Sequence, residues 1–147
     1  MKVVIQRSKK SKVEVNNKLV SKIDHGLTIL VGFTNGDTTK DIDYMINKII
    51  NLRIFDDEDG IMNKSILDTH GDILSISQFT LYANTKKGNR PSYVDALNGS
   101  DAIKLYDEFN NKLSHYVKVF TGVFGADMMV SIENDGPVTI IIDSKNR

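Results

Sequence analysis

Short runs in which hydrophobic and polar residues alternate occupy the first part of the chain, and such alternation is typical of half-buried β-strands. The runs cover residues 3–6, 13–15 and 19–23, and Asn16-Asn17 stands where a tight turn would join two of them. The next run, residues 26–33 (GLTILVGF), is apolar nearly throughout. It predicts a more fully buried strand.

Two later segments carry the hydrophobic period of a helix instead. In the first, Thr38 and Asp41 resemble a capping pair at the amino-terminal end of the helix. The apolar positions of the first segment are Ile42, Met45, Ile46, Ile49 and Ile50, and those of the second, after Ser100, are Ala102, Leu105, Tyr106, Phe109, Leu113 and Tyr116. The pattern predicts two main helices.

Between these helices lies the segment DILSISQFTLYA, residues 72–83, which has the apolar content of a strand buried on both faces. Ser75, Ser77, Gln78 and Thr80 interrupt it. A buried polar side chain costs free energy unless it is hydrogen-bonded, so the strand must end where partners are present, either in the protein or in a substrate.

Three more strand-like runs follow the second helix, at residues 117–121, 128–132 and 138–142. Together the elements predict an α/β fold: one domain over residues 1–147, with a mixed β-sheet folded into two layers (β/β/α) and the two main helices on one side.

Composition narrows the possible functions. The absence of cysteine excludes disulfides, cysteine-ligated zinc, iron–sulfur clusters and a thiol nucleophile, and it fits a reducing compartment. No apolar run approaches the roughly 18 residues of a membrane span, and no signal peptide is evident, so we expect a cytoplasmic protein without membrane association. The 19 Lys and Arg balance the 19 Asp and Glu, so any polyanion must be bound by local charge.

Motifs for metal or nucleophilic chemistry are weak. The segment FDDEDG, residues 55–60, resembles part of a calcium loop, but Phe55 and Ile66 occupy the positions of its first and last carboxylates. A solvated turn is the better interpretation. The three histidines lack metal-ligand spacing, and there is no G-x-S-x-G motif. The sequence therefore predicts neither a metal site nor a cofactor.

A basic segment, NTKKGNRPSY, directly follows the polar end of the 72–83 segment and carries Lys86, Lys87 and Arg90. Charge runs are usually only solvated, but this position makes contact with phosphate groups an equal alternative. A second lysine cluster, at residues 9, 10 and 12, has a weaker case. Gly136-Pro137 precedes an apolar run, where either a plain turn or a cis peptide bond would fit.

Several segments, in this order, resemble the D-aminoacyl-tRNA deacylase family over essentially the whole chain. They are MKVVIQR at the start, NLRIFDDEDGIMN at 51–63, SQFTLYA at 77–83, KGNRPSY at 87–93 and FGADMMVSIENDGPVT at 124–139. The chain departs from the family pattern at RSKKSKVEV, residues 7–15, where a more apolar segment is expected.

The resemblance implies hydrolysis of the ester between a D-amino acid and the terminal adenosine of tRNA, with mischarged glycyl-tRNA as a further substrate. It implies a homodimer with pockets at the subunit interface that bind the aminoacyl-tRNA 3′ end, and no association with DNA. The site residues that it implies are, for catalysis, Ser77, Gln78, Phe79 and Thr80; for substrate binding, Gly136, Pro137, Arg7, Phe124, Ala126 and Met128; and for tRNA phosphates, Lys86, Lys87 and Arg90.

Within that framework, the N–H groups of Phe79 and Thr80 are candidates to bind the oxyanion of an ester hydrolysis. The attacking water would be activated by the ribose 2′-OH, with the Thr80 hydroxyl as the competing interpretation. A cis Gly136-Pro137 would project its carbonyl oxygens into the partner's pocket, held by Arg7, and exclude L side chains. Two alternatives remain at this stage: a noncatalytic RNA-end-binding module and a structural dimerisation domain.

Overall fold

The computed structural model describes residues 1–147 and contains eight strands, three α-helices and one 3-10 turn. The strands are β1 (Lys2–Val15), β2 (Lys18–Ile23), β3 (Gly26–Gly32), β4 (Phe55–Asp56), β5 (Met62–Lys64), β6 (Asp72–Ser77), β7 (Val119–Thr121) and β8 (Met129–Asp143). The helices are α1 (Thr39–Asn51), α2 (Ile66–Thr69) and α3 (Gly99–Leu113), and the 3-10 turn covers Phe79–Tyr82.

Six of the strands form one mixed sheet, as the sequence predicts. Its order is β2-β1-β3-β6-β7, and β8 pairs with β1 beside this path. The strand β1 is antiparallel to β2, β3 and β8, whereas β3, β6 and β7 are parallel to one another. The two remaining strands, β4 and β5, make a separate small hairpin.

The sheet folds into two layers because β1 changes neighbours along its length. Residues 2–8 pair with β3 and residues 11–15 pair with β2, while β8 follows both halves. Between these halves, two residues of β1, Lys9 and Lys10, face one residue of β8, Glu133. This irregularity is a β-bulge, and bulges bend and twist the strand that contains them. The folded-over part reaches β7, where the Ser21 hydroxyl donates to the Thr121 carbonyl at 2.6 Å.

Two hydrophobic clusters hold the layers together. The larger cluster of 19 buried residues lies between the sheet and the helices α1 and α3, which cover one side as predicted. A smaller cluster of Val13, Ile23, Leu74 and Ile76 lies between the two sheet layers. The strand β6 contributes to both clusters and is therefore buried on both faces.

The predicted capping pair of α1 is confirmed. The Asp41 carboxylate accepts a hydrogen bond from the Thr38 backbone N–H at 2.9 Å and one from the Thr38 hydroxyl at 3.2 Å. Burial raises the pKa of the Asp41 carboxyl, but hydrogen bonds from Thr38, Ser144 and Lys145 outweigh it and hold that pKa well below its usual range. The helix start is thus bound to the carboxyl-terminal end of the chain.

The strand expected at residues 72–83 is shorter than predicted. It ends at Ser77, which pairs with Val31 near the end of β3, and the chain then turns into the 3-10 segment. Of the four polar residues, Gln78 and Thr80 therefore follow the strand, Ser77 ends it, and only Ser75 lies in its interior. The hydroxyl of this buried serine donates to the Tyr106 hydroxyl at 3.4 Å, which in turn donates to the Ser75 carbonyl at 2.8 Å.

Two pairs of predicted runs are single strands in the structure. Residues 3–6 and 13–15 belong to β1, and residues 128–132 and 138–142 belong mostly to β8. Backbone pairing continues through the polar segments between them, which side-chain alternation could not reveal. The hairpin β4–β5 and the short helix α2 were not predicted.

The two expected turns are confirmed. Asn16 and Asn17 both have positive φ, at 50° and 60°, as in the tight hairpin turn that joins β1 to β2. In the segment FDDEDG, the Asp57 carboxylate accepts hydrogen bonds from the N–H groups of Asp59 and Ile61, both at 3.0 Å. Its oxygens therefore close a turn. No helix in the structure has the length and apolarity required to cross a membrane.

Gly26→Ala should destabilise the fold. Gly26 begins β3 with φ 138°, and a Cβ there would overlap the backbone of Asp72 in β6. A strained conformation of this kind costs about 1–3 kcal/mol before the overlap is counted. Gly99→Ala is the matched control, because no atom lies within 4 Å of its Cβ position. Urea unfolding should show a lower midpoint for Gly26→Ala only; equal midpoints would contradict the close packing of β3 on β6.

Candidate active site

A cavity of about 620 Å³ lies where β3 and β6 end. Its walls come from these strand ends, the 3-10 turn, the segment before α3 and the segment between β7 and β8. Six of the residues assigned to the site from the sequence line it: Ser77, Gln78, Phe79, Phe124, Ala126 and Met128. The fold thus brings together two motifs that lie about fifty residues apart in the chain.

At the strand end, the polar side chains of Gln78 and Thr80 are hydrogen-bonded to each other. The Gln78 side-chain amide donates to the Thr80 hydroxyl at 2.6 Å, and the Gln78 backbone N–H donates to Val31 O at 2.7 Å. Thr80 itself lies beside the cavity and does not line it. The Ser77 hydroxyl faces the cavity and makes no hydrogen bond within the chain. Only part of the polar cluster is therefore satisfied by the protein.

The backbone of the turn presents free donors at the same place. Within the turn, the Leu81 N–H donates to Gln78 O at 3.3 Å and the Ala83 N–H donates to Thr80 O at 3.0 Å. The first N–H groups of a helical turn, here those of Phe79 and Thr80, have no partner inside it. Phe79 lines the cavity and Thr80 adjoins it, at the end of β6.

Close packing of β3 on the turn depends on Gly32. A Cβ at this position would lie 2.8 Å from the Gln78 carbonyl oxygen, closer than side-chain carbons approach backbone atoms. The glycine at the end of GLTILVGF therefore lets β3 contact the residue that begins the site. This role of Gly32 was not predicted from the sequence.

Arg7, Gly136 and Pro137 lie away from the cavity of their own chain. In the pairing of β1 with β8, Gln6 lies opposite Thr139 and Ser8 lies opposite Asn134. The one residue between them on β1, Arg7, therefore faces four residues of β8, 135–138. These four residues bulge out of the sheet, and Gly136 and Pro137 are exposed. The Gly136-Pro137 peptide bond is cis, as the resemblance implies.

The buried Arg7 guanidinium binds this bulge to the body of the protein. Its Nε donates to the Asp135 carbonyl at 3.2 Å and lies 3.3 Å from the Asp135 carboxylate. Its Nη1 donates to Ile54 O at 2.9 Å and to the Asp56 carboxylate at 3.1 Å. Because Arg7 is only 8% exposed and its bond to Ile54 O is buried, its removal would leave that carbonyl unpaired.

The basic residues Lys86, Lys87 and Arg90 are exposed and make no ion pair. They lie on a loop closed at its base by Asn84 and Ser92, whose backbones exchange hydrogen bonds of 2.8 and 2.9 Å. The loop begins directly after the 3-10 turn and ends next to Tyr93, which lines the cavity. In the second lysine cluster, by contrast, Lys12 pairs with Glu14 at 2.8 Å.

The wall of the cavity that precedes α3 was not predicted from the sequence. Tyr93, Ala96, Leu97 and Asn98 line the cavity, and Asn98 also caps α3 by accepting a hydrogen bond from the Asp101 N–H at 3.1 Å. The one signal for this wall is the capping residue before the helical period. A cap locates a helix start but does not show what the preceding loop packs against.

Comparisons with known proteins identify the family of the chain. A family model described as D-Tyr-tRNA(Tyr) deacylase matches residues 4–143. A D-aminoacyl-tRNA deacylase of Clostridium tetani (strain Massachusetts / E88) is 58% identical over 99% of this chain and 98% of its own length. One of Clostridium kluyveri is 54% identical over the same shares.

Two solved structures share the fold. The c-Myc DNA Unwinding Element Binding Protein superposes with a TM-score of 0.93 and 39% identity, over 97% of this chain and 98% of its own. A probable eukaryotic D-amino acid tRNA deacylase has a TM-score of 0.81 at 18% identity, over 96% and 97% of the two chains. The name of the c-Myc DNA Unwinding Element Binding Protein assigns DNA binding to that protein. For the present chain, the absence of DNA binding stays a prediction.

The layered fold, the cavity at the strand ends and these matches define an enzyme of the deacylase class, a hydrolase. The chain belongs to the D-Tyr-tRNA(Tyr) deacylase family.

Proposed function

We propose that the protein hydrolyses the ester of D-aminoacyl-tRNA, and of mischarged glycyl-tRNA, releasing the free amino acid and tRNA. The observation that carries this proposal is the site at the end of β6, where unpaired backbone N–H groups adjoin an apolar cavity and a loop with three unpaired cations. Family membership supports the same reaction.

The chemistry requires stabilisation of one negative charge. Water loses a proton as its oxygen bonds to the ester carbonyl carbon, and the carbonyl oxygen becomes an oxyanion. The carbonyl then re-forms, the bond to the ribose oxygen breaks, and that oxygen takes the proton that the water lost. The N–H groups of Phe79 and Thr80 bind the oxyanion, and backbone donors of this kind need no titratable residue. No histidine lines the cavity, and its one carboxylate, Asp127, is exposed. The ribose 2′-OH therefore activates the water.

The proposed working form is a homodimer that joins the subunits through β8. This strand pairs with β1 along one edge only, and Met129 and Ile141 on it are 68% and 69% exposed. A long unpaired edge with exposed apolar side chains is a ready surface for another chain. The Gly136-Pro137 bulge lies on the same strand, outside its own cavity, where it can enter the cavity of the partner.

In that position the bulge selects by exclusion. The carbonyl oxygens of Gly136 and Pro137, fixed through Arg7, lie beside the α-carbon of the bound aminoacyl group. An L side chain is directed into these oxygens, a D side chain points away, and glycine has no side chain to reject. Steric exclusion discriminates between such similar substrates more sharply than an added attractive contact.

The direct test incubates purified protein with D-tyrosyl-, L-tyrosyl- and glycyl-tRNA at protein concentrations far below those of the substrates. We expect many turnovers with the D-tyrosyl and glycyl esters and a rate lower by on the order of a hundredfold with the L-tyrosyl ester. Retention of the tRNA on a filter without ester loss would instead support an RNA-end-binding module. Comparable hydrolysis of D- and L-tyrosyl-tRNA would refute the exclusion.

Thr80→Ala separates the two ways of activating water. If Thr80 acts through its N–H, the variant loses only the hydrogen bond from Gln78, worth about 1 kcal/mol, so kcat/KM should fall by less than about tenfold. A hydroxyl acting as general base would cost about 10²–10⁴-fold. Asp127→Asn is the companion variant and should retain activity, since Asp127 is not the base. Circular dichroism confirms that each variant is folded.

Replacing Lys86, Lys87 and Arg90 together by Ala should weaken tRNA binding and flatten its salt dependence. Each lost phosphate contact lowers the slope of log Kd against log salt by about 0.7–0.9. The control replaces three exposed lysines of the helices, Lys40, Lys48 and Lys104, and changes the net charge equally. An unchanged slope in the loop variant, or an equal change in both, would show that the loop does not contact phosphates.

A further inference from the structure

Two exposed aromatic rings stand at the mouth of the cavity. Phe79 is 56% exposed and Tyr93 is 41% exposed. Their rings meet edge to face, with centroids 5.1 Å apart and planes inclined by 69°. In an edge-to-face pair, the ring faces that are not in the contact remain free to stack against a third ring.

The position of this pair connects the cavity with the basic loop. Phe79 begins the 3-10 turn after β6, and Tyr93 follows Ser92, which closes the base of the loop with Asn84. Both rings also line the cavity. Along this surface the order is therefore cavity, aromatic pair, and the three cations of the loop.

We propose that the Phe79–Tyr93 pair is a stacking site for the unpaired nucleotide that precedes the terminal adenosine. This inference rests on the proposed function, because it extends the same substrate by one nucleotide. Single-stranded RNA is bound by aromatic side chains that stack on its bases and by cations that follow its phosphates. The surface holds both features in the order in which such an RNA end would meet them.

The occupant follows from the chemistry of the neighbouring groups. A protein partner that covered both rings would also bring its surface to Lys86, Lys87 and Arg90, three cations without partners in the chain. A nucleotide supplies a flat ring for the aromatic pair and a phosphate for the cations at the same time. Stacking is also tolerant of sequence, because every base has a π-face.

The test uses two ester substrates that differ in length: D-tyrosyl adenosine and the D-tyrosyl ester of the trinucleotide CCA. A third substrate carries an abasic ribose in place of the middle cytidine. For the unmodified protein, kcat/KM should be on the order of tenfold higher for the CCA ester than for the abasic one. In Tyr93→Ala this ratio should fall to within about twofold, and Tyr93→Phe, which keeps the ring, should restore it.

Tyr116→Ala is the matched control, because Tyr116 is 58% exposed but lies outside this cavity; its ratio should equal that of the unmodified protein. An equal rate for the CCA and abasic esters in the unmodified protein would overturn the stacking site. So would a Tyr93→Ala variant that lowers all three rates together, because the ring would then act on Phe79 or on a protein contact. Failure of the proposed function itself would be recognised separately, as no hydrolysis of any ester.

Discussion

The pairing of β1 with three other strands is the constraint on which the rest of the structure depends. Its first half pairs with β3, its second half pairs with β2, and β8 runs along both. The bulge at Lys9 and Lys10 bends the strand between these halves, so one sheet becomes two layers. The polar segment RSKKSKVEV therefore includes the bend, and backbone pairing on both sides of the bulge holds the chain there.

This arrangement explains why polar residues gather at one end of β6. The strand has α1 and α3 beyond one face and the second sheet layer against the other. Each inward side chain is therefore apolar or, like the Ser75 hydroxyl, hydrogen-bonded to a specific partner. Hydrogen-bonding groups can be left open only where β3 and β6 stop, at the Ser77 hydroxyl and the N–H groups of Phe79 and Thr80. The site is thus a consequence of how the sheet ends. The strand β1 also carries Arg7, which faces the bulge of β8 and binds it through Asp135.

Much of the fold could be predicted from local signals in the sequence. The helices α1 and α3, the cap at Thr38 and the turn at Asn16-Asn17 all have local signals, and the structure confirms them. The continuity of β1 and β8 had no such signal, because a strand held by its ladder can carry Lys9, Lys10 or Gly136-Pro137 in its interior. For the site, the two motifs around Ser77 and Phe124 identified six of the 19 residues that line the cavity. Gly32 and Tyr93 were missed because their roles depend on contacts between distant segments.

The central claim is that each active site combines the cavity of one subunit with the Gly136-Pro137 bulge of the other. Heterodimers with two different tags test it most directly. One subunit carries Ala126→Trp, which fills its cavity, and the other carries Gly136→Ala with Pro137→Ala, which alters its bulge. The one open cavity then belongs to the subunit with the altered bulge. We expect this heterodimer to show the D-to-L hydrolysis ratio of the unmodified protein, because the intact bulge of the partner enters the open cavity. A heterodimer with the ratio of the bulge-altered homodimer would contradict the shared site.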